Sequence, residues 1–268
     1  MSGNARRSRA PRAARDSWEH VASWYDGWVG HSGSRYHQAL AIPALLELLE
    51  PQPREEVLDI GAGQGVLAPS VAASGARYTG IDASIRLISI ARRRHGRDGR
   101  FLVGDARRLR DVPGLAAASF DAAVFLLSIQ DMDPLESIFA SLDWVLRPRS
   151  RVVVLMTHAA FRQPRHAGWG FDPARKLVYR RVDSYLTPMA VPMKAIGGRF
   201  PTRSYHRPLS AYVNGLAAFG FAVDAMRELP DLPAGLKPGR RLSTPDARAN
   251  VEIPLFLAFR ARRGASAR

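Results

Sequence analysis

A cluster of glycines directly follows a short apolar run near residue 60. Residues 57–60 predict a buried strand, and Gly61, Gly63 and Gly65 separate that strand from the next helical pattern. Glycines in such a turn let a ligand approach the backbone closely, and the free amides at a helix start attract polar or anionic groups. An ordinary tight turn would carry the same glycines. The turn therefore indicates a ligand site only if other ligand-binding residues lie beside it.

Polar positions follow the next strands at the points where each strand ends. Asp82 follows the second predicted strand, where an acid can hold both hydroxyls of a ribose. Gly104, Asp105 and Ala106 follow the third strand, and Leu127 ends the fourth. The carboxyl ends of parallel strands meet at one edge, where open α/β sheets bind their ligands. The spacing therefore predicts a nucleotide-type site that combines the glycine turn with two acids.

The elements that must position these residues alternate between strand and helix patterns. The predicted strands are 57–60, 78–81, 101–103, 122–127, 151–156, 221–226 and 253–259, and the predicted helices are 17–49, 66–73, 84–94, 135–146 and 210–219. This alternation predicts an α/β Rossmann-like fold, with a mostly parallel seven-stranded sheet and helices on both faces. Residues 158–207 show no clean period, and we expect them to form an inserted lid segment.

The net charge of +15 over 268 residues is unevenly distributed. Basic residues concentrate in 1–16, 158–207 and 261–268, and the rest of the chain is close to neutral. Residues 1–15 and 261–268 contain no acid and have little to bury, so we expect disordered basic tails at 1–16 and 261–268. The folded domain is then expected over 17–260, with the insertion at about 158–207.

Several classes of protein are excluded by what the sequence lacks. There is no cysteine, which excludes disulfides, zinc-thiolate sites and a cysteine nucleophile. No apolar run approaches the ~18 residues of a membrane helix, and the N-terminus has no apolar core of a secretory signal. We therefore expect a cytoplasmic protein with no membrane partner.

The ordered set of strand-end motifs resembles the class I S-adenosylmethionine-dependent methyltransferases over roughly residues 20–259. Asp59 with Gly61, Gly63 and Gly65 matches the first motif of that family. The dinucleotide fingerprint differs, because its third glycine comes one residue later. The resemblance implies S-adenosylmethionine as the cofactor, with S-adenosylhomocysteine as the product, and no metal.

The resemblance also implies which residues contact the cofactor. Gly61 and Gly63 would pass along its methionine part, Asp82 would bind the ribose, and Asp105 would meet the adenine. Tyr25 resembles a tyrosine that closes over the cofactor in small-molecule members, although a helix aromatic packed in the core is the alternative. The full expected set is Tyr25, Asp59, Gly61, Ala62, Gly63, Gly65, Asp82, Ala83, Gly104, Asp105, Ala106 and Leu127.

Missing motifs narrow the acceptor. The Pro-Pro-Tyr or Pro-Pro-Phe turn of adenine and cytosine amino-methyltransferases, the paired-glutamate loop of protein arginine methyltransferases and the acidic metal set of catechol-type enzymes are all absent. The chain thus resembles the small-molecule branch, methyltransferase type 11-like, which includes many enzymes of bacterial secondary metabolism. This implies an apolar or aromatic small-molecule acceptor and a monomer or homodimer, with nucleic acid not expected as a partner.

Three other functions stay open at this point. The basic tails favour an RNA methyltransferase, although the base-specific turn is missing. A nicotinamide-dependent oxidoreductase is disfavoured by the glycine spacing. A non-catalytic cofactor-binding protein on the same fold is the third, because methyl transfer by positioning alone needs no essential side chain.

A general base is needed only if the acceptor arrives protonated. His158 follows the fifth strand at the expected active edge, His206 precedes the helix after the insertion, and His37 lies on the N-terminal helical segment. Histidine titrates in the useful range, whereas Gln130, after the fourth strand, could orient an acceptor but not deprotonate it. A structural role is the alternative for each. Aromatic and methionine side chains of the insertion are expected to wall the acceptor pocket, namely Trp169, Phe171, Tyr179, Tyr185, Met189 and Met193.

Overall fold

The computed structural model describes residues 18–193, 202–231 and 244–264. Its strands are β1 (Glu56–Ile60), β2 (Arg77–Asp82), β3 (Arg100–Val103), β4 (Phe120–Leu126), β5 (Leu146–Thr157), β6 (Ala167–Asp172), β7 (Leu177–Val182), β8 (Met189–Pro192), β9 (Arg203–His206), β10 (Phe221–Leu229) and β11 (Phe256–Arg263). Its α-helices are α1 (Ala22–Val29), α2 (Ile42–Leu49), α3 (Ala68–Ala73), α4 (Ile85–His95), α5 (Leu135–Val145), α6 (Leu209–Ala217) and α7 (Pro245–Glu252). Short 3₁₀ turns cover Trp18–His20, Ala106–Asp111 and Ile129–Asp131, and a π-helical turn, His37–Ala41, precedes α2. The predicted tail 1–16 lies outside the described residues.

Seven strands form one sheet in the order β10-β11-β5-β4-β1-β2-β3. Neighbouring strands from β3 to β5 pair in parallel, and β11 runs antiparallel to both β5 and β10. This confirms the predicted mostly parallel Rossmann-like sheet. The strand order switches sides at β1, because β2 and β3 are added on one side of it and β4 and β5 on the other, so the carboxyl ends of β1, β2 and β4 border one crevice.

The core fills both faces of the sheet because the central strands β4 and β5 are apolar on both sides. On one face, Phe125 and Val154 pack with the α5 residue Phe139. On the other face, Val124 and Val153 belong to a second apolar cluster that includes residues of α2, α3 and α4. Each fully buried side chain of this size contributes about 1.5–3 kcal/mol, so the two layers hold the strand ends in fixed positions.

The predicted single helix over 17–49 is wrong. The chain forms α1 and α2 instead, and α1 ends at Gly30, whose φ of 72° is incompatible with a continuing right-handed helix. The apolar i, i+3, i+4 pattern belongs to α2 alone. The prediction extended the helix toward the N-terminus because periodicity alone does not mark a break at a glycine. The break brings the aromatic residues of α1 to the sheet edge.

The insertion has more regular structure than its sequence pattern predicts. Strands β6 and β7 form one antiparallel hairpin, and β8 and β9 form another, each separate from the main sheet. Residues 194–201, which also belong to the predicted insertion, lie outside the described residues. Helix α7 was not predicted either, because it has few apolar residues to reveal a helical period.

The last strand extends beyond the predicted boundary at residue 260. Strand β11 ends at Arg263, so Arg260, Arg262 and Arg263 belong to the sheet and not to a tail. Arg260 and Arg262 form ion pairs with Asp224 of β10, and Arg263 forms one with Asp143 of α5. Charge composition wrongly predicted a tail here because it does not show that these arginines pair with acids distant in sequence. Within the described ranges, no helix is long and apolar enough to cross a bilayer.

Candidate active site

A cavity of about 480 Å³ opens at the carboxyl ends of the parallel strands. This volume is in the range of small-molecule sites. Its wall consists of Trp18, Tyr25, Gly61, Gly63, Ile81, Asp82, Ala83, Ser84, Leu87, Gly104, Asp105, Ala106, Arg107, Leu126, Leu127, Ser128, Asp131, Met132, Asp133, Ile138 and Tyr205. The structure thus brings the ends of β1, β2, β3 and β4 together at one edge, as the motif spacing predicts.

The glycine turn after β1 faces this cavity with bare backbone. The amides of Gly61 and Ala62 both donate to the carbonyl of Ile81 at 2.8 and 2.9 Å, which ties the turn to β2. Gly61 has a φ of 75°, and a Cβ there would lie 2.6 Å from the Cβ of Ser128. Only glycine fits this position, and the result is a side-chain-free cradle for a ligand.

Asp82 is held at the end of β2 by backbone amides. Its Oδ2 accepts from Gly63 at 2.9 Å, and its Oδ1 accepts from Ser84 at 2.8 Å. Burial raises the pKa of Asp82, while the two amide bonds oppose that rise. Each carboxylate oxygen has a second lone pair, so the group can also accept hydrogen bonds from two vicinal hydroxyls of a ligand.

Asp105 is the second acid at this edge, and it is ion-paired. Arg107 donates to both carboxylate oxygens, with Nη2–Oδ2 at 2.6 Å, and the Arg107 amide donates to Oδ1 at 2.9 Å. Burial alone would raise the pKa of Asp105, but the hydrogen bonds from Arg107 hold it below its usual value. Asp105 is therefore an ionised acceptor that a ligand shares with Arg107.

Three of the expected cofactor residues lie behind the wall instead of on it. Asp59 is 1% exposed, and its Oδ2 accepts from the Tyr78 hydroxyl at 2.6 Å. Burial raises the pKa of Asp59 to about 7. Gly65 makes room for the ring of Phe101, since a Cβ there would lie 2.6 Å from it, and Ala62 is buried against the turn. These residues support the shape of the turn without facing the cavity.

The structure does not bring His158 or Gln130 to the cavity wall. The Nε2 of His158 lies 2.9 Å from Oε1 of Glu228 on β10, and its Nδ1 accepts the amide of Ala160 at 3.2 Å. The chain leaving β5 passes toward β10, which carries this ring away from the glycine turn. Gln130 donates to the carbonyl of Leu127 at 2.6 Å and is buried within its own turn.

The other two histidines are also absent from the wall and hydrogen-bonded elsewhere. His206 is 4% exposed, and its Nε2 lies 2.7 Å from the carbonyl of Tyr185. The Nδ1 of His37 lies 2.9 Å from the Ser34 hydroxyl, and burial lowers the pKa of His37. Both rings stabilise local structure, which is the alternative that their sequence left open.

The expected aromatic wall of the insertion is also wrong, because none of its six residues lines the cavity. Trp169 and Phe171 are exposed on the outer hairpin, and the Trp169 ring lies between the guanidinium groups of Arg162 and Arg180 at about 5 Å. The insertion contributes Tyr205 of β9 to the wall instead. Side chains alternate between the two faces of a hairpin, and the sequence alone does not show which face points toward the cavity.

Sequence reasoning missed Asp131, which lies on the cavity wall one residue after Gln130. Burial raises the pKa of Asp131 to about 7, against a hydrogen bond with Ser204 that lowers it. The available signal was its position, since Asp131 follows β4 at the same edge where Asp82 and Asp105 follow their strands. Trp18 was missed as well, and it joins Tyr25 on the wall through an edge-to-face contact at 5.1 Å.

Comparison with known proteins agrees with this arrangement. Residues 58–154, which span β1 to most of β5, match the family model described as a methyltransferase domain. This part of the chain is thus similar to methyltransferase domains. A solved S-adenosylmethionine dependent methyltransferase from Mesorhizobium loti superposes with a TM-score of 0.69 at 23% identity, over 87% of this chain and 100% of that one. The chain therefore has the class I methyltransferase fold.

Curated relatives match over part of their length. A demethylmenaquinone methyltransferase from Beutenbergia cavernae is 31% identical over 147 residues, covering 55% of each chain. A ubiquinone biosynthesis O-methyltransferase from Aromatoleum aromaticum is 27% identical over 132 residues, covering 49% of this chain and 56% of the relative. The chain thus spans about half the length of the curated relatives that it matches.

Proposed function

We propose that the protein transfers the methyl group of S-adenosylmethionine to a small-molecule acceptor. The observation that carries this proposal is the convergence of Gly61, Gly63, Asp82 and Asp105 on one cavity of about 480 Å³ in a methyltransferase domain. The bare backbone at Gly61 and the spare lone pairs of Asp82 fit an amino-acid moiety and a ribose. When bound, the cofactor supplies an electrophilic methyl group and keeps the carbon–sulfur electron pair on sulfur.

In this proposal, different residues of the cavity bind different parts of the cofactor. Asp82 would accept the ribose hydroxyls, Asp105 and Ala106 would border the adenine, and Leu127 would pack nearby. Tyr25 of α1 covers the same cavity, so it can exclude water from the transferring group. Positioning of donor and acceptor supplies up to roughly 7–11 kcal/mol in such reactions, so this enclosure is itself a catalytic contribution.

The acceptor class in this proposal is a small molecule with a flat, largely apolar body. Trp18, Tyr25, Met132 and Tyr205 provide aromatic and thioether surface on the part of the wall that the cofactor residues leave free. The names of the curated relatives, a demethylmenaquinone methyltransferase and a ubiquinone biosynthesis O-methyltransferase, support an acceptor of this kind. A role in bacterial secondary metabolism is part of the proposal and rests on the resemblance of the sequence alone.

Calorimetry with three ligands that contain adenosine tests the proposal directly. We expect S-adenosylmethionine and S-adenosylhomocysteine to bind the purified protein and NAD to give no heat. Release of S-adenosylhomocysteine is then measured with a panel of phenolic, indolic, thiol and amine acceptors. Binding of NAD without binding of S-adenosylhomocysteine, or an RNA acceptor whose affinity falls steeply with salt as phosphate contacts require, would overturn it.

A further inference from the structure

Asp131 is an acid on the cavity wall that the proposed cofactor contacts leave unused. It ends the 3₁₀ turn Ile129–Asp131, directly after β4, and its side chain is half-buried. The other acids of the wall already have partners: Asp105 pairs with Arg107, Asp133 pairs with Arg207, and Asp82 accepts two amides. Among the described side chains, no cation forms an ion pair with Asp131.

The insertion holds this carboxyl in place. Ser204 of β9 is buried and hydrogen-bonds to Asp131. The buried guanidinium of Arg207, at the end of β9, donates to the carbonyl of Met132 at 2.9 Å and forms an ion pair with Asp133 at 2.5 Å. Ser204 and Arg207 thus contact three consecutive residues of the loop after β4, residues 131–133. The direction of the Asp131 carboxyl therefore depends on both this loop and the insertion.

The groups that face Asp131 are neutral hydroxyls. Tyr25 approaches from α1 and Tyr212 from α6, and the Asp131 charge helps to raise the pKa of both. Ser204 approaches from β9, and Asp133 and Arg207 on the neighbouring segments form an ion pair with each other. Burial raises the pKa of Asp131 itself to about 7, so both of its protonation states are populated near neutral pH. A base is most effective when its pKa lies near the working pH.

We propose that Asp131 is the catalytic residue that accepts the proton of a phenol-type hydroxyl on the acceptor, and that Ser204 is its positioning residue. In this step the O–H bond breaks and the proton passes to the Asp131 carboxylate. An oxygen electron pair forms the bond to the methyl carbon, while the bond from that carbon to the donor sulfur breaks and leaves its electron pair on sulfur. A phenol matches the aromatic wall formed by Trp18 and Tyr25. Its hydroxyl is also far more acidic than an aliphatic alcohol, which a carboxylate cannot deprotonate. This inference rests on the proposed methyl transfer.

The experiment uses 4-nitrophenol as a probe, because its phenolate absorbs visible light and its ionisation occurs near neutrality. The full-length protein is saturated with S-adenosylhomocysteine, and the ionisation of bound probe is followed from pH 5 to pH 9 in wild type, Asp131→Asn and Asp111→Asn. Asp111 is an exposed acid whose nearest cation, Arg108, lies 3.7 Å away, so Asp111→Asn is the matched control. The 4-nitroanisole analogue, which has no hydroxyl, controls for ring binding alone.

In wild type we expect the bound phenol to ionise at a higher pH than free probe, because the ionised Asp131 carboxylate accepts a hydrogen bond from the hydroxyl and repels the phenolate. In Asp131→Asn the amide can donate to the phenolate, so ionisation should shift below that of free probe. At pH 9 Asp131→Asn should bind the probe about tenfold more tightly than wild type, a change of about 1.4 kcal/mol. At pH 6, below the pKa of about 7 of Asp131, the two neutral side chains should bind it about equally. Asp111→Asn should behave as wild type, and 4-nitroanisole should bind all three proteins equally.

Each other result overturns a defined part of the inference. Equal ionisation of the bound probe in wild type and Asp131→Asn would remove Asp131 as the base. Absence of 4-nitrophenol binding to the loaded wild type, or preferential binding of benzylamine, would reject the phenol class. If S-adenosylhomocysteine itself does not bind, the proposed function fails instead, so the two failures are distinguishable. Retained affinity of Asp131→Asn for S-adenosylhomocysteine shows that the variant is folded.

Kinetics with a phenolic acceptor from the panel separate a base from a structural residue. Asp131→Asn should lower kcat by about 10²–10⁴-fold and abolish the rise of kcat through neutral pH. Ser204→Ala should retain a pH-dependent kcat with a smaller loss, because it misdirects the carboxyl without removing it. A fall in kcat with an unchanged pH profile in Asp131→Asn would contradict the assignment.

Discussion

The two sides of the cavity, which we propose to bind the methyl donor and the acceptor, are built in different ways. The donor side consists of backbone and acids at the ends of β1, β2 and β3, whose positions are set by the parallel hydrogen-bond ladder of the sheet. The acceptor side consists of Trp18 and Tyr25 near α1, Asp131 in the loop after β4, and Tyr205 of the insertion. The donor side therefore depends on one element type, and the acceptor side depends on three segments that pack together across the sheet edge.

This difference explains which acids are committed to structure and which are free to react. On the donor side Asp82 accepts amides of its own turn, and Asp59 supports that turn from behind. On the acceptor side Asp131 has a hydrogen bond with the hydroxyl of Ser204, from a segment distant in sequence, and no ion pair with a cation among the described side chains. A carboxyl with few fixed partners keeps lone pairs available for a substrate, whereas one saturated by amides mainly defines shape.

The largest effect that the comparison predicts is on the donor side. Asp82→Asn should lower the affinity for S-adenosylhomocysteine by about 10–100-fold, because a hydrogen bond to a charged group contributes about 1.5–3 kcal/mol. Calorimetry measures this, with the exposed Asp111→Asn as control. Wild-type affinity in Asp82→Asn would show that the donor does not contact this acid, and the division of the cavity would fail.

A second prediction, also for the donor side, distinguishes a residue that supports the glycine turn from a residue that contacts the ligand. Because the folded-state pKa of Asp59 is raised to about 7, the native protein binds more protons than the unfolded chain between about pH 4 and pH 7, and the free energy of unfolding falls as pH rises through that window. Asp59→Asn should remove this fall, on the order of 1–3 kcal/mol. Urea denaturation at pH 5 and pH 8 measures it.

The ligand affinity of the same variant provides the contrast. Asp59→Asn should bind S-adenosylhomocysteine within about 3-fold of wild type, a difference under about 1 kcal/mol, since its carboxyl lies behind the wall. Asp111→Asn again serves as the reference for simple loss of a charge. An affinity loss as large as that of Asp82→Asn would place Asp59 among the contact residues.

The smallest effect is expected at His158, which lies outside the cavity wall. His158→Asn should lower the free energy of unfolding by about 0.5–1.5 kcal/mol through the lost bond to Glu228, and leave kcat within about 3-fold of wild type. Burial lowers the pKa of His158. Protonation therefore destabilises the native protein as pH falls below about 6.5, and the variant should lose this acid sensitivity. A 10²-fold loss of kcat would restore His158 as a base.

How well the sequence predicted each region follows from how local its determinants are. The glycine turn, Asp82 and Asp105 were found because each directly follows an apolar strand, and parallel strands place their ends together. Asp131 was overlooked in favour of Gln130, its neighbour in the same 3₁₀ turn, because nothing local shows which of two adjacent side chains points inward. The same limit applies to Tyr205, and to His158 and His206, since the partners of these two histidines are 70 and 21 residues away in sequence.

Arg207 fastens the insertion to the rest of the protein through contacts that do not involve the sheet. It reaches a backbone carbonyl and one carboxylate in the loop after β4, while the hairpins β6-β7 and β8-β9 keep ladders of their own. An ancestral gene could therefore exchange the two described hairpins by recombination without breaking a backbone hydrogen bond of the seven-stranded sheet. Descendants of such an exchange would inherit the methyl donor site intact and acquire a new chemical repertoire in one step.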